Sequence, residues 1–366
     1  MKRALRVLVV ASTASAVIAA PAAAVPAEKP DRAGLQRQLD GIVAAGAVGV
    51  LAEVRDEHEV WRSTSGVAER NTTRPVPVQG RFRVGSITKT FLATVVLQLV
   101  DEGRLRLDDT VETVLPGVVP DGHRITVRHL LNHTSGLYDY KRTLPKPTDP
   151  AFLADRYRTW TATEQIQRAL AHPPAPWPPG SVFDYSNTNY LLLGQIVEKV
   201  TGHSYGAEIK RRVIWPLRLR DTAVPGTSPW IRGPHPYGYL PTQQGLVDFT
   251  EMNPSLFGAA GEMISTTKDL SRFFAALVGG RLLRAQLLDE MKTPGDKKRR
   301  YGLGLAWLDT TCGVRVYGND GDALAYQAWS FSTEDGTKQV TVALTPDHRA
   351  DLDDAVEAIV DKAVCA

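Results

Sequence analysis

The chain has 366 residues, a formal net charge of +3 and only two cysteines. That length is enough for a large core, built as one wide domain or as two lobes. The near-neutral balance argues against nucleic-acid binding, and no apolar run reaches the roughly 20 residues that a membrane-spanning helix needs.

The first thirty residues, "MKRALRVLVVASTASAVIAAPAAAVPAEKP", have the three zones of an export signal. Lys2, Arg3 and Arg6 form the charged start, an apolar stretch runs from Val7 to Ala20, and an A-x-A site ends at Ala24 or, alternatively, Ala27. Residues 1–24 are therefore expected to be removed, leaving a formally neutral exported chain without a lipid-bearing cysteine or membrane anchor. In such a chain the two cysteines, Cys312 and Cys365, suggest one disulfide. The basic run "KKRR", Lys297 to Arg300, reads as a solvated loop.

Past the signal, "DRAGLQRQLDGIVAAG" predicts a helix closed by Gly46, followed by strands in "AVGVLAEVRD" and "HEVWRSTSG". "ITKTFLATVVLQLVDEG" is apolar nearly all round and predicts a buried helix. The proline-rich "HPPAPWPPG", His172 to Gly180, reads as a rigid approach to a positioned loop rather than a linker. "NTNYLLLGQIVEKVTG" predicts a helix with Asn caps in front and Gly202 behind, and "STTKDLSRFFAALVGG" another, with Thr266 and Asp269 in a capping-box pattern. Four short strand-like runs follow: "YGLGLAWLD", "GVRVYG", "AYQAWSFST" and "KQVTVALT". The stretch "YGNDGDALAY", Tyr317 to Tyr326, reads as a turn leading into a strand, and a last helix covers roughly 351–364. Strands cluster at both chain ends and helices between them. The pattern predicts an α+β fold with an antiparallel sheet made from both termini and an inserted, mainly helical lobe. We place one catalytic domain at 31–366, with a sheet lobe at about 31–85 and 300–366 and a helical lobe at about 86–299.

Two short motifs carry chemistry. Ser86-Ile87-Thr88-Lys89 puts a serine and a lysine three apart, on one face of the first turn of a helix that should be buried. An ammonium among apolar walls loses its proton more readily, and a neutral amine can take the serine proton. "YSN", Tyr185 to Asn187, offers a phenol to relay a proton and an amide to bind a substrate or, more blandly, to cap a helix. His133 in "NHTSG" reads as structural. "GHSYG", Gly202 to Gly206, fits the G-x-S-x-G pattern around Ser204, but that motif needs a strand before its serine, and a helix is predicted there.

Taken with "RFRVGSITKTF", "LLNHTSGLYDY", "FDYSNTNYLLLG", "STTKDL" and "YGLGL", these motifs make the chain resemble the penicillin-recognising serine enzymes. That family contains D-alanyl-D-alanine carboxypeptidases and class C β-lactamases, and the likeness is to secreted actinobacterial DD-carboxypeptidases in particular. The resemblance covers nearly all of the chain past the signal. It implies Ser86 as the acylated nucleophile, Lys89 as base and Tyr185 as proton shuttle, with the division of base duty between Lys89 and Tyr185 left open. Asn187 would bind substrate, and the backbone N–H groups of Ser86 and Asp322 would form the oxyanion hole. It implies no cofactor or metal, a small-molecule or peptide substrate possibly derived from the cell wall, and two cysteines around the last strands.

The third family motif, K/H-T-G, should stand at Asn319-Asp320-Gly321. Only the glycine is kept, and Ala306 stands after "YGLGL" where the resembled carboxypeptidases carry Arg. Those groups recognise a terminal carboxylate in the family. Asp320 would repel such a group and favour the ammonium form of Lys89. The expected activity is therefore a serine hydrolase with changed preference: a neutral ester or amide, or an amine-bearing group met by Asp320 or Asp322. A genuine D-Ala-D-Ala carboxypeptidase and a non-catalytic binding protein on the same fold are the alternatives. A calcium loop at "NDGD" lacks the full ligand spacing.

Overall fold

The computed structural model describes residues 31–365, so the segment expected to be an export signal lies outside the described residues. A six-stranded antiparallel sheet runs in the order β2-β1-β10-β9-β8-β7. Its members are β1 (Ala47–Arg55), β2 (Val60–Gly66), β7 (Ala306–Asp309), β8 (Arg315–Asp322), β9 (Gln327–Thr333) and β10 (Gln339–Pro346). The two ends of the chain meet at the centre, where β1 pairs with β10 from Ala47↔Pro346 to Arg55↔Gln339. β10 is buried at every position: Val340, Val342 and Leu344 face the terminal helices, and Thr341, Ala343 and Thr345 face the other side.

On one face, the terminal helices Arg32–Ala45 and Asp353–Cys365 bury Leu35, Leu39, Ile42, Val356, Ile359 and Val360 against the sheet. The first of these is capped by Asp31, whose carboxylate accepts from Gly34 N, and ends at Gly46 with φ 143°, where a side chain would be strained. On the other face lie the helix Thr267–Val278 and then the helical region. At the centre of that region is the helix Ile87–Asp101, in which the run Ile87–Leu97 is wholly buried. Two small ladders complete the set: β3 (Phe82–Arg83) with β6 (Ile264–Ser265), and β4 (Tyr239–Thr242) with β5 (Gly245–Asp248).

Three local expectations differ from what is observed. The "NDGD" stretch is strand, not turn: β8 continues to Asp322, and the reversal is confined to residues 323–326, held by Ala323 N to Tyr326 O at 2.8 Å. The reason is register, since Asn319 to Asp322 find partners Ser330 to Gln327 on β9. The Thr266–Asp269 pair forms half a capping box. Thr266 accepts from Asp269 N, but the Asp269 carboxylate turns away to Asp221 N and Thr222 Oγ1. Asn187 precedes the helix Thr188–Thr201 but makes no side-chain cap, because its amide is committed elsewhere.

Cys312 and Cys365 are joined, with Cα atoms 5.7 Å apart, tying the β7–β8 turn to the last helix. Among the described residues no helix is long and apolar enough to cross a membrane.

Candidate active site

Ser86 opens the central helix and stays partly accessible, while Lys89, one turn on, is fully buried. The helical period brings Lys89 Nζ to 2.9 Å from Ser86 Oγ. Two further oxygens hold the amine: Asn187 Oδ1 at 2.8 Å and the Ala260 carbonyl at 2.6 Å. Asn187 is itself oriented, since its Nδ2 donates to Asp139 Oδ2 at 2.9 Å. A carboxylate only accepts, so Asp139 fixes the amide with its oxygen toward Lys89.

Burial pushes the Lys89 pKa well below the usual lysine range. Lys141, from the helical side of the cleft, pushes the same way, and Asp139 and Asp320 oppose without prevailing. The expected effect of Asp320 is thus present in sign and outweighed by desolvation. A neutral amine has two N–H donors and one lone pair. Asn187 Oδ1 and Ala260 O take the two donors, which leaves the lone pair for the Ser86 hydroxyl proton.

Tyr185 Oη lies 2.7 Å from Ser86 Oγ. Burial raises its pKa well above the usual phenol range, with the bond to Ser86 only partly offsetting this. A phenolate is therefore disfavoured, and of the two groups on Ser86 Oγ the buried Lys89 amine is the better placed to accept a proton. His133 carries the loop that presents Tyr185. Its ring stacks on Tyr185 at 4.2 Å between centroids, and its Nδ1 accepts from Ser186 N at 3.2 Å. Burial holds it neutral. The proline-rich run is pinned to the same support through Ala175 N to Gly136 O and Gly180 N to Thr134 O, both 2.8 Å.

The third wall of the cleft is the end of β8. β7 leaves its neighbour at Gly318, so residues 319–322 pair only with β9 and present an open edge. That edge lies against the start of the central helix. A Cβ on Gly321 would sit 2.0 Å from Val84 O and 2.8 Å from Ser86 N, and one on Gly85 would meet Asp322 N at 2.7 Å. Glycine at both positions is what permits this approach. Asp320 N donates to Asn319 Oδ1, off the ladder, so the Asp322 N–H, two residues on, points to the same free edge. Ser86 N and Asp322 N are thereby brought together as a donor pair for an oxyanion.

The side chains of this wall divide. Asn319 is buried and donates to Thr90 Oγ1 at 3.1 Å, which in turn bonds Gly304 O, so it braces the "YGLGL" segment instead of facing substrate. The Asp322 carboxylate accepts from Leu324 N at 2.7 Å and shapes the turn. Asp320 is open to solvent through the cleft mouth, yet enough protein surrounds it for desolvation to raise its pKa above the usual carboxylate range. No ion pair engages it among the described residues. Ser204 is spent as a helix N-cap on Ala207 N and follows a helix that Gly202 ends, with no strand before it. Asp139, Ala260 and Lys141 were missed from sequence. Asp139 carried a signal as a lone acid in "GLYDY", whereas a backbone carbonyl such as that of Ala260 carries none.

Residues 35–362 match the sequence model of the family described as Beta-lactamase. The chain is 30% identical to "Penicillin-binding protein 4" of Amycolatopsis lactamdurans over 317 residues, covering 80% of this chain and 79% of that one. A D-stereospecific amidohydrolase from Streptomyces sp. superposes with a TM-score of 0.83 at 42% identity, covering 90% of this chain and 98% of the other. A D-amino acid amidase from Ochrobactrum anthropi SV3, solved with L-phenylalanine amide, gives 0.77 at 27% identity over 91% and 97%. With a serine, a desolvated lysine and an open strand edge meeting as this fold requires, the chain belongs to the beta-lactamase family and is a serine hydrolase of it.

Proposed function

We propose that this serine hydrolase cleaves amides of D-amino acids that carry a free α-ammonium group, through an acyl-Ser86 intermediate, outside the cell. One observation carries the reading. The wall where the resembled carboxypeptidases hold a carboxylate offers an unpaired acid, Asp320, with Asn319 turned inward and the non-basic Ala306 beside it. Such a wall favours an ammonium over a carboxylate. The D-stereospecific amidohydrolase at 42% identity supports the choice of amide and of hand.

In the proposed reaction the Ser86 proton passes to the Lys89 amine as Oγ bonds to the amide carbon. The oxyanion forms against Ser86 N and Asp322 N. The C–N bond then breaks as the leaving nitrogen takes a proton from Tyr185 Oη, and the phenolate left behind recovers one from the Lys89 ammonium, which lies 5.0 Å from the Tyr185 ring centroid. Water, deprotonated by the same amine, then releases the amino acid and restores Ser86.

The test is a panel of D-phenylalanine amide, its L-isomer, N-acetyl-D-phenylalanine amide and an acyl-D-Ala-D-Ala peptide, read by product release and intact mass. Turnover of the free D-amide, with an acyl adduct lost in Ser86→Ala, is expected. Preferential release of D-alanine from the peptide would overturn the proposal in favour of a carboxypeptidase, and no adduct with any member would favour a binding protein.

A further inference from the structure

Away from Ser86, two cavities of about 680 and 430 Å³ lie beside one another and share Lys210 and Val224 in their walls. Each has a tryptophan at its lip: Trp215 is 67% exposed and Trp230 54%. They are the only exposed tryptophans among the described residues, and both fall on this one groove. A large ring left in water forgoes about 25 cal/mol for each Å² that burial would remove, so a pair at one site points to a partner that covers them.

The charge of the groove is as uneven as its polarity. Lys210, Arg220 and Arg232 have no ion pair among the described residues, and Arg220 and Arg232 are exposed. Arg81 is matched by Asp221 at 2.7 Å and Arg211 by Glu208 at 2.7 Å. The buried acids of the walls do not cancel the excess at the surface. Glu208 and Glu262 are each 1% exposed, and Glu208 is already taken by Arg211 and Arg212. Lys210 is drawn to the buried Glu262, yet neither it nor Arg220 or Arg232 makes an ion pair among the described residues, and cations placed together are relieved by an anionic partner.

We infer that this groove binds an acidic polysaccharide, whose sugar rings stack on Trp215 and Trp230 and whose carboxylates pair with Lys210, Arg220 and Arg232. A pyranose face presents C–H groups to the negative face of an indole. Guanidinium groups match carboxylates bidentately. Two adjoining cavities suit a chain seated across both and not the flat surface of a bilayer. The export signal expected at the N-terminus places the protein among extracellular polymers, not nucleic acids. The inference stands apart from the proposed reaction, because none of these residues touches Ser86, Lys89 or Tyr185.

The experiment titrates the whole protein, without its export signal, with polygalacturonate, following tryptophan fluorescence and affinity electrophoresis. Dextran, single-stranded DNA and phosphatidylglycerol vesicles run in parallel. Polygalacturonate should bind and weaken with salt, and dextran should not. The pair W215A/W230A and the triple K210E/R220E/R232E should each lose about tenfold or more in affinity, while turnover of a small amide or ester stays unchanged and reports that both variants fold. Absence of polygalacturonate binding, equal binding of dextran, affinity unaffected by the variants, or stronger binding of DNA or vesicles would each overturn the assignment.

Discussion

Replacing Asp320 by Asn removes one negative charge from the cleft wall and keeps its shape. If Asp320 receives the substrate ammonium, the loss is that of a hydrogen bond between charged partners, about 1.5–3 kcal/mol, or about 10- to 150-fold in kcat/KM. The carboxylate stands at an open cleft mouth, where solvent screens the pair, so the lower part of that range applies. We expect a fall of about 10- to 30-fold for D-phenylalanine amide, against little change for its deaminated analogue 3-phenylpropanamide. The pH dependence sharpens the test. The pKa of Asp320 is raised by desolvation, so its charge is present at high pH and is lost, as pH falls, sooner than an ordinary carboxylate's would be. The advantage of the amine-bearing substrate should disappear through that window in the wild type and be absent throughout in Asp320→Asn. Steady-state kinetics of both substrates across pH decide the matter. An equal loss for the two, or no loss for either, would refute ammonium recognition by Asp320 and leave the acylation chemistry untouched.

Three further outcomes are expected. Asn187→Asp puts a carboxylate where an amide oxygen now lies 2.8 Å from Lys89 Nζ, favouring the ammonium form; acylation should fall by about 10²–10⁴ at neutral pH and recover partly as pH rises, and a loss indifferent to pH would contradict a neutral Lys89 base. Glu262 is raised by burial to about 7, so below about pH 4.5 it is protonated in both states and costs nothing, whereas above about 7 its buried charge costs about 3 kcal/mol; Glu262→Gln should raise the melting temperature at pH 8 and not at pH 4.5. Cys312→Ser with Cys365→Ser opens a loop of sequence separation 53 and should cost about 4 kcal/mol in urea unfolding, with turnover unchanged because the bond lies at the opposite end of β8 from Asp322.

The serine and lysine of the candidate site were legible because their spacing is local. Ser86 and Lys89 meet whenever their segment is helical, and the run Phe91–Val100 makes a buried helix the favoured state. The strand runs at the two ends, with helices between, likewise announced a sheet closed from both termini, because each run alternates or is apolar over a strand's length. Asn187 and Tyr185 were legible as a motif, but not as a geometry.

What the tertiary structure alone decided is how the rest of the wall is used. Asn319 and Asp320 are neighbours in sequence, and strand alternation sends one inward to Thr90 and the other into the cleft, a distinction that follows from register with β9. The same register turned an apparent hairpin tip into an open edge. Lys89 is suited to act as a base because Asn187 and the Ala260 carbonyl, 98 and 171 residues away in the chain, accept from its amine and burial lowers its pKa. Long-range contacts of that kind leave no periodicity and, for a backbone carbonyl, no residue type in the sequence. The amino acids therefore named the family chemistry, and the packing of the helical region against the sheet decided which amine is buried and which acid stays open at the site.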